Sequence, residues 1–300
     1  MANDWRDTER RSPRFEGLED WPTRDILDAL LSGQNAALHG VRAALPQIGE
    51  AVEAAANRLK ERDGRLVYTG AGTSGRLAVL DGIELTPTFG WPTSRIAYLF
   101  AGGMIGLTKA VEGAEDNVKA AQQEVDELKL TPYDVVIGLA ASGTTPYTRA
   151  AIERARKTGA LTISFANNPK APLLKDADFG ILLNTGAEAL AGSTRLGAGT
   201  AQKAALNLFS TTLMARLHKI HQGYMVDMLA TNDKLKDRAL RMVLAITSCS
   251  EDTAKDALKE ADYHVKLAVL IAKGSTKDAA QQALDTHFGD LRGAQTTLKL

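Results

Sequence analysis

The sequence predicts an α/β protein built on a doubly wound, parallel, five-stranded sheet. Three observations lead there. Five short apolar runs, 65–69, 95–100, 134–139, 161–165 and 179–183, are mostly separated by helical patterns. Strands that alternate with helices fold as a parallel sheet covered on its faces. The run DVVIGL, 134–139, is apolar without a break after its first residue, as a strand buried on both sides requires. Two of the runs lead straight into loops of glycine, serine and threonine, and each loop feeds a helix.

Taken in order, residues 1 to about 22 are rich in charge and read as extended. A helix after Pro22-Thr23 places Ile26, Leu27, Leu30 and Leu31 on one face. A further, alanine-rich helix is expected from about Pro46 to Lys60.

The stretch GRLVYTGAGTSGRLAVLDGIELTPTFG, 64–90, is the one the chain is organised around. A strand at Leu66-Val67-Tyr68 turns through Gly70-Ala71-Gly72-Thr73-Ser74-Gly75 into a helical pattern that Thr86-Pro87 is expected to break. Such a turn presents free backbone N–H groups, at the positive end of a helix dipole, to an anion. Thr73 and Ser74 add hydroxyls that cap the helix or donate to a phosphate oxygen. The spacing approximates the dinucleotide fingerprint, but no acid for a ribose follows the next strand, and no Lys-Ser/Thr pair makes it a Walker loop. Hydroxyls at these positions suit a sugar phosphate.

A second copy of the device follows DVVIGL: Ala140-Ala141-Ser142-Gly143-Thr144-Thr145-Pro146, then a helix from Tyr147 to Thr158. Pro146 fits a first helical turn. Two such loops at the carboxyl edge of one parallel sheet converge on one anion.

Beyond the strands, a Gly- and Thr-rich loop after Asn184 leads into a long helix with Leu206, Phe209, Leu213 and Leu217 in its apolar stripe. Residues 223 to about 240 read as a helix with a loop. Segments 252–260, 263–273 and 277–284 read as a small helical bundle without identifiable chemistry.

Composition narrows the class. The 36 basic and 36 acidic residues cancel, and no long run has one sign, which argues against nucleic acid as the partner. No stretch is long and apolar enough to span a bilayer, and the N-terminal twenty residues lack a signal peptide's apolar core. A cytoplasmic protein with no membrane partner is expected. Cys249 is the only cysteine, so neither a disulfide framework nor a thiolate metal cluster is expected. His218 and His221, three apart, could share a helix face, but no third ligand with metal spacing is nearby.

Two carboxylates stand out by place. Glu84 lies near the end of the first helix, and Glu115 follows the Ala101-Gly102-Gly103 turn.

The segments GRLVYTGAGTSGRLAVLDGIELTPTFG, AGG with AVEGAED, GLAASGTTPYT, GSTRLGAGTAQKAALN and MVDMLATNDKL closely resemble the N-acetylmuramic acid 6-phosphate etherase family, from about Thr8 to the C-terminus. The resemblance implies a sugar-isomerase-type (SIS) domain, a three-layer α/β/α sandwich, at 56–222. It implies an N-terminal helical segment at 1–55 and a C-terminal helical region, with a ubiquitin-associated-like module, at 223–300. It implies cleavage of the D-lactyl ether by water, a homodimer, and no metal or organic cofactor. The family's catalytic acid falls on Glu84 and its second carboxylate on Glu115. Sugar and phosphate contacts fall on Thr73, Ser74, Ser142, Thr144 and Thr145. The chain departs from the family pattern at Leu85-Thr86, where Cys-Pro is common, and at Thr144, where arginine is common.

That chemistry calls for one carboxyl held protonated, so partial burial of Glu84 is expected. A straight helix from Ser74 to Glu84 rises roughly 15 Å, farther than a sugar's C6 phosphate from its C2. A site shared between two subunits is therefore expected. An aldose–ketose isomerase would use the same enolate chemistry, and a sugar-phosphate-sensing regulator would need the loops but neither glutamate.

Overall fold

The computed structural model describes residues 6–60 and 63–300. By internal contacts the chain divides into two units. One comprises Met1–Gly82 and Ser94–Ser210, the other Ile83–Thr93 and Thr211–Leu300.

The first unit opens with three short 3-10 turns, Asp7–Glu9, Pro13–Phe15 and Leu18–Asp20, where an extended segment was expected. Thr8 is fully buried there. Its N–H donates to Asn168 Oδ1 (3.3 Å), and Asn168 Nδ2 donates back to its hydroxyl (3.1 Å). A charged composition misleads because one small residue anchors the segment.

Helix α1 runs unbroken over Thr23–Leu59 with Pro46 inside it, replacing the two helices expected. An internal proline costs about 3 kcal/mol. Here Ala37, Val41, Ala44, Ile48, Ala51, Val52, Ala55 and Leu59 bury one stripe on both sides of Pro46. That shared burial offsets the lost hydrogen bond and holds the helix in register.

The five expected strands all form, each within a residue or so of its expected ends: β1 Leu66–Gly70, β2 Ile96–Phe100, β3 Val135–Leu139, β4 Leu161–Ala166 and β5 Phe179–Leu182. The sheet is wholly parallel, in the order β2-β1-β3-β4-β5, with Gly70 registered against both Phe100 and Leu139. β1 and β3 are buried along their whole length. The chain winds outward from β1 to β2, then crosses back to place β3 on β1's other side. This reversal opens a crevice beyond the carboxyl ends of β1 and β3.

Helices α2 Gly72–Phe89, α3 Gly103–Thr108, α4 Val118–Glu127, α5 Pro146–Lys157, α6 Leu173–Asp176 and α7 Gly197–Arg216 complete the α/β region. Val67, Leu99, Val125, Val136, Ile152 and Leu173 belong to one of its cores. At the opposite, amino edge of the sheet, Asp134 is buried and accepts from Arg65 Nη2 (2.9 Å), Arg65 N–H (2.7 Å) and Thr131 N–H (2.7 Å). Burial alone would raise its pKa, but these donors bring it below the ordinary carboxylate range.

Helix α2 does not stop before Pro87, as its sequence suggests, but continues to Phe89. The division between units falls within α2 after Gly82 and within α7 after Ser210.

The second unit holds α8 Asp233–Thr247, α9 Glu251–Glu260, α10 Val265–Ala272, α11 Lys277–Thr286 and α12 Leu291–Leu298. Asn232, Ser250, Thr276 and Asp290 each accept a backbone N–H in the first turn of α8, α9, α11 and α12, respectively. Met242, Val243, Leu258, Leu270, Leu284 and Leu291 are part of its core. The three bundle helices fall close to expectation, whereas α12 was not anticipated and residues 223–232 form turns before α8. His218 and His221 lie beyond α7, His218 in a left-handed conformation and His221 in an isolated bridge to Tyr224, so they share no helix face.

Candidate active site

The two hydroxyl-rich loops leave the adjacent strands β1 and β3 at the same edge of the sheet. The first is very tight. β1 ends at Gly70 and α2 begins at Gly72, with Gly75 N–H donating to Ala71 carbonyl (2.9 Å) as the first helical bond. The N–H groups of Gly72, Thr73 and Ser74 therefore have no acceptor within the helix. Gly72 sits at φ +53°, which favours glycine, and a side chain on Gly75 would strike the Phe100 ring and the Gly70 backbone. Strand end and helix start touch, which is why the turn is this short. Arg76 secures α2 from outside by donating to the carbonyls of Gly106 and Leu107, both at 2.8 Å.

Glu115 is delivered to this turn by its own local structure. It lies in a 3-10 turn, Ala114–Asp116, entered through Gly113 at φ +71°. Gly102, at φ +85°, lets Val111 and Ala114 pack against it. One Glu115 carboxylate oxygen then comes within 3.1 Å of the point where a Gly72 side chain would start. Glu115 is exposed, as a residue lining an open site should be.

In the second loop Ser142 Oγ accepts from both the N–H (3.2 Å) and the hydroxyl (3.0 Å) of Thr144. The Ser142 hydroxyl proton is left to donate outward. Thr144 thus shapes the loop. Thr145 is the N-cap of α5 but makes no side-chain cap bond, so its hydroxyl remains available. Gly143, at φ +67°, packs where any side chain would collide with Ala171, and Gly143 carbonyl and Ala141 carbonyl accept from Leu173 and Asn167 N–H. The loop is held from behind by the β4–α6 connection.

A third element was not foreseen as part of the site. Glu188 is buried, and its two oxygens accept from Gly197 N–H (2.9 Å) and Ala198 N–H (2.8 Å) at the start of α7. Burial pushes its pKa up further than those two N–H groups pull it down. Gly199, in the first turn of α7, lies against the first loop: a side chain there would begin 3.7 Å from the Thr73 methyl. The sequence signal was available in Gly197-Ala198-Gly199, a glycine-spaced helix start preceded by an acid.

Thr73, Ser74 and Glu115 are therefore together at one turn, and Ser142, Thr144 and Thr145 at the turn beside it in strand order. Glu84 belongs by contacts to the second unit. It is exposed, not partly buried as expected, because its helix face also carries Leu80, Ile83 and Pro87, all exposed.

One helical turn before Glu84, Asp81 is buried and accepts from Tyr68 hydroxyl (3.1 Å), Asn207 Nδ2 (2.8 Å) and Ser210 hydroxyl (3.0 Å). These bonds tie the middle of α2 to β1 and α7. Burial raises the Asp81 pKa in spite of its three donors. Among the described residues no group of three or more His, Cys, Asp or Glu side chains is placed to hold a metal ion. No helix there is long and apolar enough to cross a membrane.

Known proteins resemble this chain in sequence and in fold. The glucokinase regulatory protein N-terminal SIS domain family matches residues 47–156, and the SIS domain family matches residues 117–212. An N-acetylmuramic acid 6-phosphate etherase of Deinococcus radiodurans is 48% identical over 96% of this chain and 95% of its own. One from Salmonella schwarzengrund is 44% identical over 96% of this chain and 97% of its own. The chain belongs to the N-acetylmuramic acid 6-phosphate etherase family. Among solved structures, a Bacteroides fragilis chain described as a phosphosugar isomerase involved in capsule formation aligns with TM-score 0.51 and 20% identity, over 68% of this chain and 95% of that one. At that identity the likeness concerns the fold, which is the SIS fold, with its five-stranded parallel sheet.

Proposed function

We propose that the chain is a carbon–oxygen lyase that cleaves the D-lactyl ether of N-acetylmuramic acid 6-phosphate with water, giving N-acetylglucosamine 6-phosphate and D-lactate. The observation that carries the reading is full-length kinship with etherases, at 48% identity over 96% of the chain. The placement of Glu115 against a turn with three free backbone N–H groups supports it. Such an enzyme serves amino-sugar catabolism and cell-wall recycling in the cytoplasm.

A simple ether resists cleavage because an alkoxide must leave. In the open-chain sugar, C3 is β to the C1 aldehyde. Glu115, as base, takes the C2 proton, and the electron pair forms an enolate delocalised onto the aldehyde oxygen. The enolate collapses, the C3–O bond breaks, and Glu84 protonates the departing lactate oxygen. Water then adds its oxygen to C3 of the unsaturated aldehyde and a proton to C2. Two carboxyl groups in different environments suffice for these proton transfers. The N–H groups of Gly72, Thr73 and Ser74, with the hydroxyls of Thr73, Ser74, Ser142 and Thr145, hold the phosphate. Thr144 keeps Ser142 in place.

The working form is a homodimer with shared sites, in which Glu84 acts on sugar held mainly by the other subunit. Glu84 follows Ser74 by ten residues in an uninterrupted helix. α1 exposes Leu31, Leu38 and Leu45 at seven-residue spacing, together with Leu27, a stripe suited to a second helix. Leu80 and Ile83, exposed beside Glu84, offer a partner an apolar surround that would desolvate the acid.

The test is turnover of N-acetylmuramic acid 6-phosphate in ¹⁸O-water, read by mass spectrometry. Label in N-acetylglucosamine 6-phosphate with unlabelled lactate is expected. Label in lactate would overturn the elimination route, and absence of turnover the etherase reading itself.

A further inference from the structure

The loop before α7 carries a cation that the proposed chemistry does not use. Arg195 is exposed, and its guanidinium has no hydrogen-bond or ion-pair partner among the described residues. Its backbone neighbours locate it. Thr194 carbonyl accepts from Gly199 N–H at 2.9 Å. A side chain begun at Gly199 would meet that carbonyl at 3.3 Å and the Thr73 methyl at 3.7 Å. Arg195 thus follows directly on a residue that shares a contact point with Thr73, and an extended arginine side chain is long enough to span such a gap.

The loop offers little else to an anion through its helix. The N–H groups of Gly197 and Ala198 are already taken by the buried Glu188 carboxylate. The start of α7 is filled from within, and the unpaired Arg195 precedes it by two residues in the chain.

The proposed substrate carries two anionic groups, the C6 phosphate and the lactyl carboxylate. Backbone N–H groups and hydroxyls at the two turns suit the phosphate. The carboxylate is the group that separates this substrate from its amino-sugar product, and Glu115 at the same turn would repel it unless a cation compensates. A guanidinium matches a carboxylate with two parallel hydrogen bonds.

We propose that Arg195 forms a carboxylate subsite that receives the lactyl group. It fixes the leaving group at O3 and distinguishes the ether-bearing sugar from its product. The inference rests on the etherase reading and adds a residue to it.

The test uses the full chain with Arg195→Met and Arg195→Lys. KM and kcat are measured for N-acetylmuramic acid 6-phosphate, and a competitive Ki for N-acetylglucosamine 6-phosphate, which keeps the phosphate and lacks the carboxylate. Arg195→Met is expected to raise KM by about tenfold to a hundredfold, the scale of a lost charge-assisted hydrogen bond. The product Ki should move less than twofold, which also shows that the fold is intact. Arg195→Lys should recover part of the loss. Equal weakening of both sugars, or no change in either, overturns the subsite. If the wild-type chain binds both sugars but releases no lactate, the etherase reading fails by itself. The ratio of the two sugars' Kd values, with and without Arg195, then decides the subsite.

Discussion

A carboxylate oxygen of Glu115 lies 3.1 Å from the point at which a side chain on Gly72 would begin. The first residue of α2 and the proposed base thus lie against each other. Gly72→Ala places a methyl group in that gap at a backbone φ of +53°. The conformation costs an L-residue about 1–2 kcal/mol, and the methyl pushes Glu115 away. A fall in kcat/KM of at least about tenfold is expected, with a lowered melting temperature. Unchanged kinetics would separate Glu115 from the site.

Glu115→Gln and Glu84→Gln each remove a proton-transfer group and keep its shape. Each should lower kcat by about 10²–10⁴-fold, the usual scale of general acid–base catalysis. Affinity for N-acetylglucosamine 6-phosphate, measured by calorimetry, should be nearly unchanged. A variant that loses affinity and rate together has a binding residue at that position, not an acid or base.

Subunit sharing is tested by mixing. Glu84→Ala and Ser142→Ala chains, each nearly inactive alone, are denatured together and refolded. Half of the randomly paired dimers are hybrids, and each hybrid has one intact site of two, so about a quarter of wild-type activity should return. Verified hybrids without activity would place Glu84 on its own subunit's sugar.

Glu188→Ala leaves Gly197 and Ala198 N–H groups buried without acceptors. The cost is about 1–3 kcal/mol, read as a lower urea midpoint. Because this loop carries Arg195, activity should fall more steeply than stability, and Glu188→Gln, which retains an acceptor oxygen, should be milder. Equal losses in both variants would assign Glu188 to stability alone.

Asp134 and Arg65 hold the far edge of the sheet. Asp134→Ala should destabilise the chain by about 3–5 kcal/mol, since it leaves a partly buried guanidinium unpaired. The folded pKa of Asp134 lies below its unfolded value. Its contribution is therefore fully present above about pH 4 and is lost as pH falls through the lowered folded value. Acid unfolding of Asp134→Asn should accordingly be less steep in that range than that of wild type.

The strands and the two hydroxyl loops were legible because their causes are local. A strand buried on both faces must be a continuous apolar run, and a strand that turns at once into a helix needs glycines such as Gly70, Gly72 and Gly75. Pro46 and Pro87 misled for the opposite reason: a local breaker is overridden where burial continues beyond it, as in α1. Glu188 was not singled out, since its worth depends on two N–H groups nine and ten residues later. Glu84 was expected to be sheltered, but no residue of its own helix face provides shelter. Asp81 drew no notice because two of its three donors, Asn207 and Ser210, arrive from α7, more than a hundred residues away.

Thr8 carries a practical consequence. Besides its exchange with Asn168, its carbonyl accepts from Gly192 N–H at 2.8 Å, two residues before Thr194. The segment near the chain's beginning is thus stitched to the loop that carries Arg195. Trimming the chain past Thr8 to improve crystallisation, or fusing a rigid carrier close to it, would unfasten that loop while leaving the sheet intact. Such a preparation would keep its sheet and its fold signals while turning over slowly.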